Sequence, residues 1–292
     1  MTAVRALAGP LTSARALAAR VAALEGRILV ITDFDGTISE IDPDPMGARI
    51  DPLARRALRR LGRIAESRPD RLALAILTGR AVSDVVGRAR VGGARYLGNH
   101  GLDADWLPRR GNVRALVARA AASGPESPAA KLGRNVAGAL GHPDWLFVEV
   151  KGGSVALHYR RAPDPDDAGR VIGEAVDLAL ATGRFDLERF DGRLIVELRP
   201  AGAGGKGEAV GRLLAELAPR SVLSLGDDRS DAEGFVLLAQ ARAAGRLAAL
   251  NVGIHDRTAS PPELVEAADV MLAAPHDAAR LLSALATVLE RD

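Results

Sequence analysis

The sequence predicts an α/β protein: a parallel-sheet core with helices on both faces, interrupted by a smaller α+β module. Three observations predict it. Short apolar runs alternate with amphipathic helical patterns toward both ends of the 292-residue chain, as in a parallel sheet joined by crossover helices. Residues able to do chemistry stand just past those runs, at Asp33, Thr78, Asn99 and Asp227, where open α/β sheets bind ligands. The middle of the chain reads instead as helix, hairpin, helix, hairpin.

Composition narrows the classes. A hydrophobic content of 48% with 26% charged residues is that of an ordinary soluble globular protein with ample core. The net charge is +2 and no basic block or aromatic–basic interleaving occurs, which argues against a nucleic-acid partner. The absence of cysteine excludes disulfides, thiolate metal sites and thiol catalysis. No apolar segment approaches the length of a membrane span. Only three of the 39 basic residues are lysine, namely Lys131, Lys151 and Lys206.

Taken in order, Leu11–Leu24 reads as an amphipathic helix with Thr12 or Ser13 available to cap it. A transit peptide is the alternative, since the first 24 residues carry Arg5, Arg15 and Arg20 and no acid. Ile28–Thr32, Leu72–Leu77, Arg95–Leu97, Ser221–Leu225, Leu247–Val252 and Val270–Ala273 are expected strands. Leu53–Ala65, Val82–Ala89, Lys206–Leu217 and Ala232–Ala244 are expected helices. The pattern breaks at Pro108–Gly111, and a helical stretch with a polar interruption at Ser123–Pro128 follows. Leu146–Lys151 and Ser154–Arg160 flank Gly152-Gly153 as a β-hairpin. The helix Asp166–Ala181 and the strands Phe185–Phe190 and Arg193–Leu198 complete the module. The expected boundaries are residues 1–108 with 200–292 for the core and 109–199 for the insertion.

The chemistry starts at "ITDFDGTI". Residues two apart on a strand face the same way, so Asp33 and Asp35 project together, and Gly36-Thr37 adds a turn with backbone N–H groups and a hydroxyl. Two adjacent carboxylates repel unless a cation or a proton holds one of them. An acidic turn at a sheet edge and a D-x-D glycosyltransferase site are alternatives for this motif alone. A second acidic group, Asp227, Asp228 and Asp231, follows another apolar run. Oxygen ligands without histidine or cysteine suit Mg²⁺. Thr78-Gly79-Arg80 follows a third run and could hold an oxyanion. Lys206 opens a helix after the glycine-rich Gly202–Gly205, and helix N-termini bind anions.

D-F-D-G-T, T-G-R, Lys206 and G-D-D-x-x-D, in this order, resemble the haloacid dehalogenase superfamily of phosphotransferases, whose core is Rossmann-like. "GNHG" (98–101), "VEVKGGSVALHYR" (148–160), "IVELRP" (195–200), "GGKGEAV" (204–210) and "LGDDRSDAEGF" (225–235) look like the trehalose-6-phosphate phosphatase family. That family usually has serine at the place of Asn99, threonine at Ser230 and glutamate at Ala232, the last of which could shift the outer metal shell to Glu233.

The resemblance implies a Mg²⁺-dependent phosphatase acting on trehalose 6-phosphate through an aspartyl-phosphate. It makes Asp33 the nucleophile and Asp35 the acid and base. The metal ligands become Asp33, the Asp35 carbonyl and Asp227, with Asp228 or Asp231 in support. Gly36, Thr37, Thr78, Gly79, Arg80 and Lys206 are expected at the phosphate. The insertion becomes a cap closing over the core, whose positions Glu149, Lys151, Arg160 and Glu197 grip the disaccharide, with Asn99 and His100 also at the substrate.

Strand alternation alone puts Glu149, Lys151, Ser154, His158 and Arg160 on one face of the hairpin, opposite Val148, Val150, Val155, Leu157 and Tyr159. Arg193, Glu197 and Arg199 oppose Leu194, Val196 and Leu198 in the same way. A solvated polar face is the alternative. A sister phosphatase for another disaccharide-like phosphate, such as glucosylglycerol phosphate or a pseudo-disaccharide phosphate, is the nearest rival function. A regulatory module phosphorylated on Asp33 is a more distant one. The expected partner is a small-molecule sugar phosphate, with no nucleic acid or membrane. The expected form is a monomer and the expected compartment the cytoplasm.

Overall fold

The apolar run Ile28–Thr32 is a strand with all five residues buried, so both of its faces must be covered. The computed structural model describes residues 14–291 apart from 43, 45, 122–126, 152, 193, 203 and 256–259. Thr12, Ser13, most of the polar interruption at 123–128, Gly152 and Arg193 therefore lie outside the described residues.

The strands are β1 (Ile28–Thr32), β2 (Leu72–Leu77), β3 (Ala94–Gly98), β4 (Asp103–Leu107), β5 (Phe147–Lys151), β6 (Ser154–His158), β7 (Leu187–Gly192), β8 (Ile195–Pro200), β9 (Ser221–Gly226), β10 (Ala248–Ile254) and β11 (Val270–Leu272). The helices are α1 (Ala14–Ala22), α2 (Pro52–Ser67), α3 (Val82–Ala89), α4 (Val113–Ala121), α5 (Pro128–Ala139), α6 (Pro165–Leu180), α7 (Lys206–Leu217), α8 (Arg229–Ala243), α9 (Pro262–Ala267) and α10 (Pro275–Leu289). The chain divides into two compact units, Met1–Val117 with Gly204–Asp292, and Ala118–Ala203. The first division, after Val117, runs through α4, nine residues past the expected 108/109.

The first unit holds a seven-stranded sheet in the order β11-β10-β9-β1-β2-β3-β4. Every pairing is parallel except β3 with β4. Leu29 and Ile31 of β1 join Leu213 and Leu217 of α7 and Leu238 and Ala241 of α8 in one buried core. Helix α10 packs on both α1 and α2, with α2 against β2. The strand β4 escapes sequence reading because Asp103-Ala104-Asp105 is poor in strand formers. It lies at the sheet edge, where charge is common because it discourages further pairing. No helix among the described residues is long and apolar enough to cross a membrane.

The second unit is an antiparallel sheet in the order β5-β6-β8-β7. Leu132 and Val136 of α5 and Ile172 and Val176 of α6 bury Val155, Leu157, Val196 and Leu198 beneath them. Both helices begin with proline behind a capping side chain, Ser127 for α5 and Asp164 for α6, which satisfies first-turn N–H groups and presets the backbone angle. Strand β6 ends at His158, so Arg160 sits in the turn beyond it rather than continuing the alternation.

One close approach in the first unit yields a test. Gly62 lies inside α2, where alanine normally gains about 1 kcal/mol in helix propensity. A Cβ there would stand 2.0 Å from the Gly92 carbonyl oxygen, and backbone cannot move aside cheaply. We expect Gly62→Ala to destabilise by about 1–3 kcal/mol, seen as a lower melting temperature. An unchanged or higher melting temperature contradicts this packing.

Candidate active site

The chain leaves β1 toward β2 and β3 on one side and returns through β9 and β10 on the other. The boundary between β1 and β9 is thus a topological switch point, where adjacent strand ends open a crevice. Thr32 pairs with Leu225, so Asp33 leaves its strand level with Gly226 and one residue short of Asp227. The Asp33 N–H donates to the Leu225 carbonyl at 3.0 Å. Gly36 has φ +72°, and a Cβ on it would fall 2.0 Å from Asp227 Oδ2, so only glycine lets this turn lie against that carboxylate. Thr37 Oγ1 donates to Asp227 Oδ1 at 2.9 Å. Gly36 and Thr37, expected at the phosphate, here hold a carboxylate in place.

The spacing of Asp228 and Asp231 is that of a capping box. Asp228 is the N-cap of α8 and its side chain accepts from the Asp231 N–H, while Asp231 Oδ2 accepts from the Asp228 N–H. Capping draws the Asp228 carboxylate outward, where it also accepts from Ser230 Oγ at 2.7 Å, and its side chain is 52% exposed. Asp231 instead turns inward. Asp33, Asp227 and Asp231 each offer an oxygen, all within 4.8 Å of one another. Asp228, expected in support of the metal, is not one of the three, although its Oδ1 lies 3.8 Å from the Lys206 ammonium described next.

Lys206, the first residue of α7, reaches this trio with its side chain only 2% exposed. Its Nζ lies 3.0 Å from Asp33 Oδ1 and 2.8 Å from Asp231 Oδ1. Burial opposes the ammonium, but Asp228, Asp231 and Asp33 raise its pKa well above the usual lysine value. Burial pushes Asp33 up to about 6, against the pull of Lys206 and with Asp228 and Asp35 adding to it. Burial and neighbouring carboxylates also raise Asp227 and Asp231 well above the usual range. Lys206 is thus a single ammonium among the Asp33, Asp227 and Asp231 carboxyls, with Asp228 Oδ1 also 3.8 Å from its Nζ, an excess of acid over base that a divalent cation would offset. An all-oxygen donor set fits a hard cation of that kind.

Asp35 has a separate partner. Arg80 grips it through two bonds, Nε to Oδ2 at 2.5 Å and Nη2 to Oδ1 at 2.7 Å, while its Nη1 reaches Asp84 at 2.7 Å. The guanidinium also lies 5.6 Å from the centroid of the Phe34 ring. Expected beside the phosphate, Arg80 thus turns to Asp35 and Asp84, because a bidentate carboxylate matches its planar fork. Asp84 in turn accepts from Arg88, whose Nη1 donates to the Met46 and Ala48 carbonyls. Asp84 escaped sequence reading, although Arg80, Asp84 and Arg88 stand at helical i, i+4 spacing.

Thr78 is buried, with its N–H on the Leu97 carbonyl and its hydroxyl accepting from the Arg80 N–H at 3.2 Å. The turn 98–101 is laced to it, since the Asn99 and His100 N–H groups donate to the Arg80 and Thr78 carbonyls. His100 lies so close to Gly79 that a Cβ there would meet its Nε2 at 2.7 Å. The Asn99 amide donates to Asp103. Glu233, offered as an outer-shell substitute, instead accepts from the Gly207 N–H at 3.4 Å and is turned toward the start of α7.

In the second unit, Ala156 pairs with both Glu149 and Glu197, which aligns the polar residues across three strands. Lys151 Nζ lies 3.7 Å from Glu149 and 3.6 Å from Glu197. His158 Nε2 is 2.9 Å from Glu149 Oε2. Arg199 reaches Glu197 at 2.6 Å and lies 4.3 Å from the centre of the Phe190 ring. The side chains of Lys151, Glu197 and Arg199 are 6–7% exposed, unlike an ordinary solvated face.

The profile of the trehalose-phosphatase family matches residues 31–260. A trehalose-phosphate phosphatase of Mycobacterium tuberculosis (strain H37Rv) is 34% identical over 211 residues, 70% of this chain and 50% of the relative. An uncharacterised glycosyl hydrolase of the same organism is 33% identical over 274 residues, 90% of this chain and 18% of the relative. The chain thus spans half or less of the length of these relatives. In fold it resembles the C-terminal domain of a Candida albicans trehalose-6-phosphate phosphatase, with a TM-score of 0.70 at 22% identity, covering 94% of this chain and 97% of that one.

The Lys206 geometry predicts a stability effect. Removing one partner of a buried ion pair costs about 3–5 kcal/mol because the other charge is stranded. Lys206→Met should therefore lower the melting temperature in chelator, and a divalent cation should restore part of the loss. A variant that melts like the unsubstituted protein in chelator would show that the ammonium is not what holds the carboxylates together.

Proposed function

The chain belongs to the trehalose-phosphatase family, and from that premise we propose that it is a Mg²⁺-dependent phosphatase hydrolysing trehalose 6-phosphate to trehalose and phosphate. The observation that carries this reading is the trio Asp33, Asp227 and Asp231 around the Lys206 ammonium at the switch point. A D-x-D glycosyltransferase gives Lys206 no role. A module that is merely phosphorylated on Asp33 has no use for a clamped second carboxylate at Asp35.

In this reading an Asp33 oxygen attacks phosphorus and the bond from phosphorus to the sugar oxygen breaks, giving an aspartyl-phosphate. Asp35 donates its proton to the leaving oxygen, then takes one from the water that attacks phosphorus and frees Asp33. Arg80 aims the Asp35 carboxyl, which must serve both steps from one position. Lys206 keeps Asp33 ionised and, with the Thr78 hydroxyl, holds phosphate oxygens. Asp33, the Asp35 carbonyl and Asp227 would hold Mg²⁺, with Asp231 in support, and the ion when bound offsets charge on the transferring phosphoryl group. Glu149, Lys151 and Glu197 of the second unit, with Arg160 from the adjoining turn, bind the sugar hydroxyls.

Phosphate release measured over a panel of sugar phosphates with Mg²⁺ tests the reaction. Trehalose 6-phosphate should be turned over best, EDTA should abolish the activity, and Asp33→Asn should lower kcat on the order of 10³-fold or more in a folded protein. A preference for glucosylglycerol phosphate or a pseudo-disaccharide phosphate would reassign the substrate. Near-normal turnover by Asp33→Asn would sink the mechanism.

The sugar-binding role has its own test. Glu149→Ala and Arg160→Ala should each lower kcat/KM for trehalose 6-phosphate by about ten- to a hundred-fold, the worth of a hydrogen bond to a charged group. Hydrolysis of p-nitrophenyl phosphate, which offers no hydroxyls, should change far less. Equal losses on both substrates would mean that the polar face is structural.

A further inference from the structure

A second charged site lies in the first unit, away from the acidic trio. A cavity of about 720 Å³ opens between the segment 40–52, the first turns of α2 and the end of α3, and none of its lining residues belongs to the trio. Arg49, Arg55, Arg88 and Arg90 line it, against Glu40 and Asp51. Asp51 is already engaged, accepting from the Leu53 and Ala54 N–H groups and facing His276 Nδ1 at 2.9 Å. Arg88 is spent on Asp84 and on two carbonyls. Arg49, Arg55 and Arg90 have no carboxylate partner among the described residues.

The arginines do have a structural use, which leaves their charge in place. Arg55 Nη2 donates to the Arg88 carbonyl, Arg59 Nε to the Arg90 carbonyl and Arg90 Nε to the Gly87 carbonyl. These bonds satisfy carbonyls at the end of α3, where helices leave them unpaired. Neutral carbonyls do not balance guanidinium groups. Arg55 Nε remains buried with no hydrogen-bond partner. Burial, with Arg59 and Arg90 nearby, lowers the Arg55 pKa, the mark of a cation whose surroundings supply no anion. A folded protein keeps buried donors paired, and here the missing acceptor is negative.

We propose that this cavity is a second ligand site, taking a small oxyanion of the phosphate class on Arg49, Arg55 and Arg90. The planar, multiply donating guanidinium suits tetrahedral oxyanions, and the volume exceeds that of a free phosphate, leaving room for a phosphorylated sugar. The assignment goes beyond the proposed hydrolysis and does not depend on it.

Calorimetric titration of the intact chain in Mg²⁺-containing buffer, with inorganic phosphate and separately with glucose 6-phosphate, tests it. The unsubstituted protein should show two classes of site for at least one of these anions. Arg49→Ala, at an exposed position, and Arg55→Met, which keeps the side-chain bulk, should each weaken one class about ten-fold or more and leave the other unchanged. The unchanged class shows that the variants are folded. Tighter binding of glucose 6-phosphate would identify a phosphorylated metabolite as the ligand, and tighter binding of inorganic phosphate the free anion. Anion binding that survives both substitutions unchanged, in one class or in two, overturns the site, as does the absence of any binding; a single class that the substitutions weaken is this site, and counts instead against anion binding at the trio.

Discussion

The ammonium of Lys206 sits 3.0 Å from one oxygen of Asp33 and 2.8 Å from one of Asp231, in surroundings that leave its side chain 2% exposed. Without it, the three buried carboxyls beyond β1 and β9 would face one another with only neutral donors to hold them, the Thr37 hydroxyl and the Asp227 and Asp228 N–H groups. Much of the first unit serves that placement. Parallel pairing of β9 with β1 sets Asp33 level with Gly226, one residue short of Asp227. The capping box at the start of α8 turns Asp231 inward. Helix α7 starts just behind the N-cap Gly205, so that its first side chain reaches the trio. The surplus of carboxyl groups over this one ammonium suits a hard divalent cation.

A second line of charge is separate from the first. Asp35 is held by Arg80, Arg80 by Asp84, and Asp84 by Arg88, which ends on the carbonyls of Met46 and Ala48. The two carboxylates of the D-x-D motif therefore live in different surroundings. Asp33 shares a buried ammonium and is crowded by like charges, whereas Asp35 has a guanidinium clamp. Unequal surroundings suit the unequal tasks proposed for them, since a nucleophile must stay ionised while an acid and base must change state in place.

The second unit solves a different problem with the same means. Its antiparallel sheet buries valine and leucine under two helices and gathers Glu149, Lys151, His158, Glu197 and Arg199 on the opposite side. Alternation alone sorts these residues by face. The pairing of Ala156 with both glutamates brings them into one network. A small residue at the centre leaves room for the long side chains on either side.

Periodicity and order along the chain were enough to read the parallel core, the inserted α+β module, and the segments that meet at the sheet's carboxyl end. These features depend on local patterns of apolar and polar residues, which act wherever the segment ends up in space. Choice of partner is not local, and there the tertiary structure decided. Arg80 left the expected oxyanion loop for Asp35 and Asp84 because two carboxylates lie within reach of its fork. Asp228 falls outside the carboxylate trio and caps the start of α8 instead. Arg160 fell beyond the strand because β6 ends two residues earlier, and β4 formed from poor strand formers because β3 offered it an edge. Each polar group satisfies its hydrogen bonds with whatever the fold brings near, and a linear sequence holds that competition without displaying its outcome.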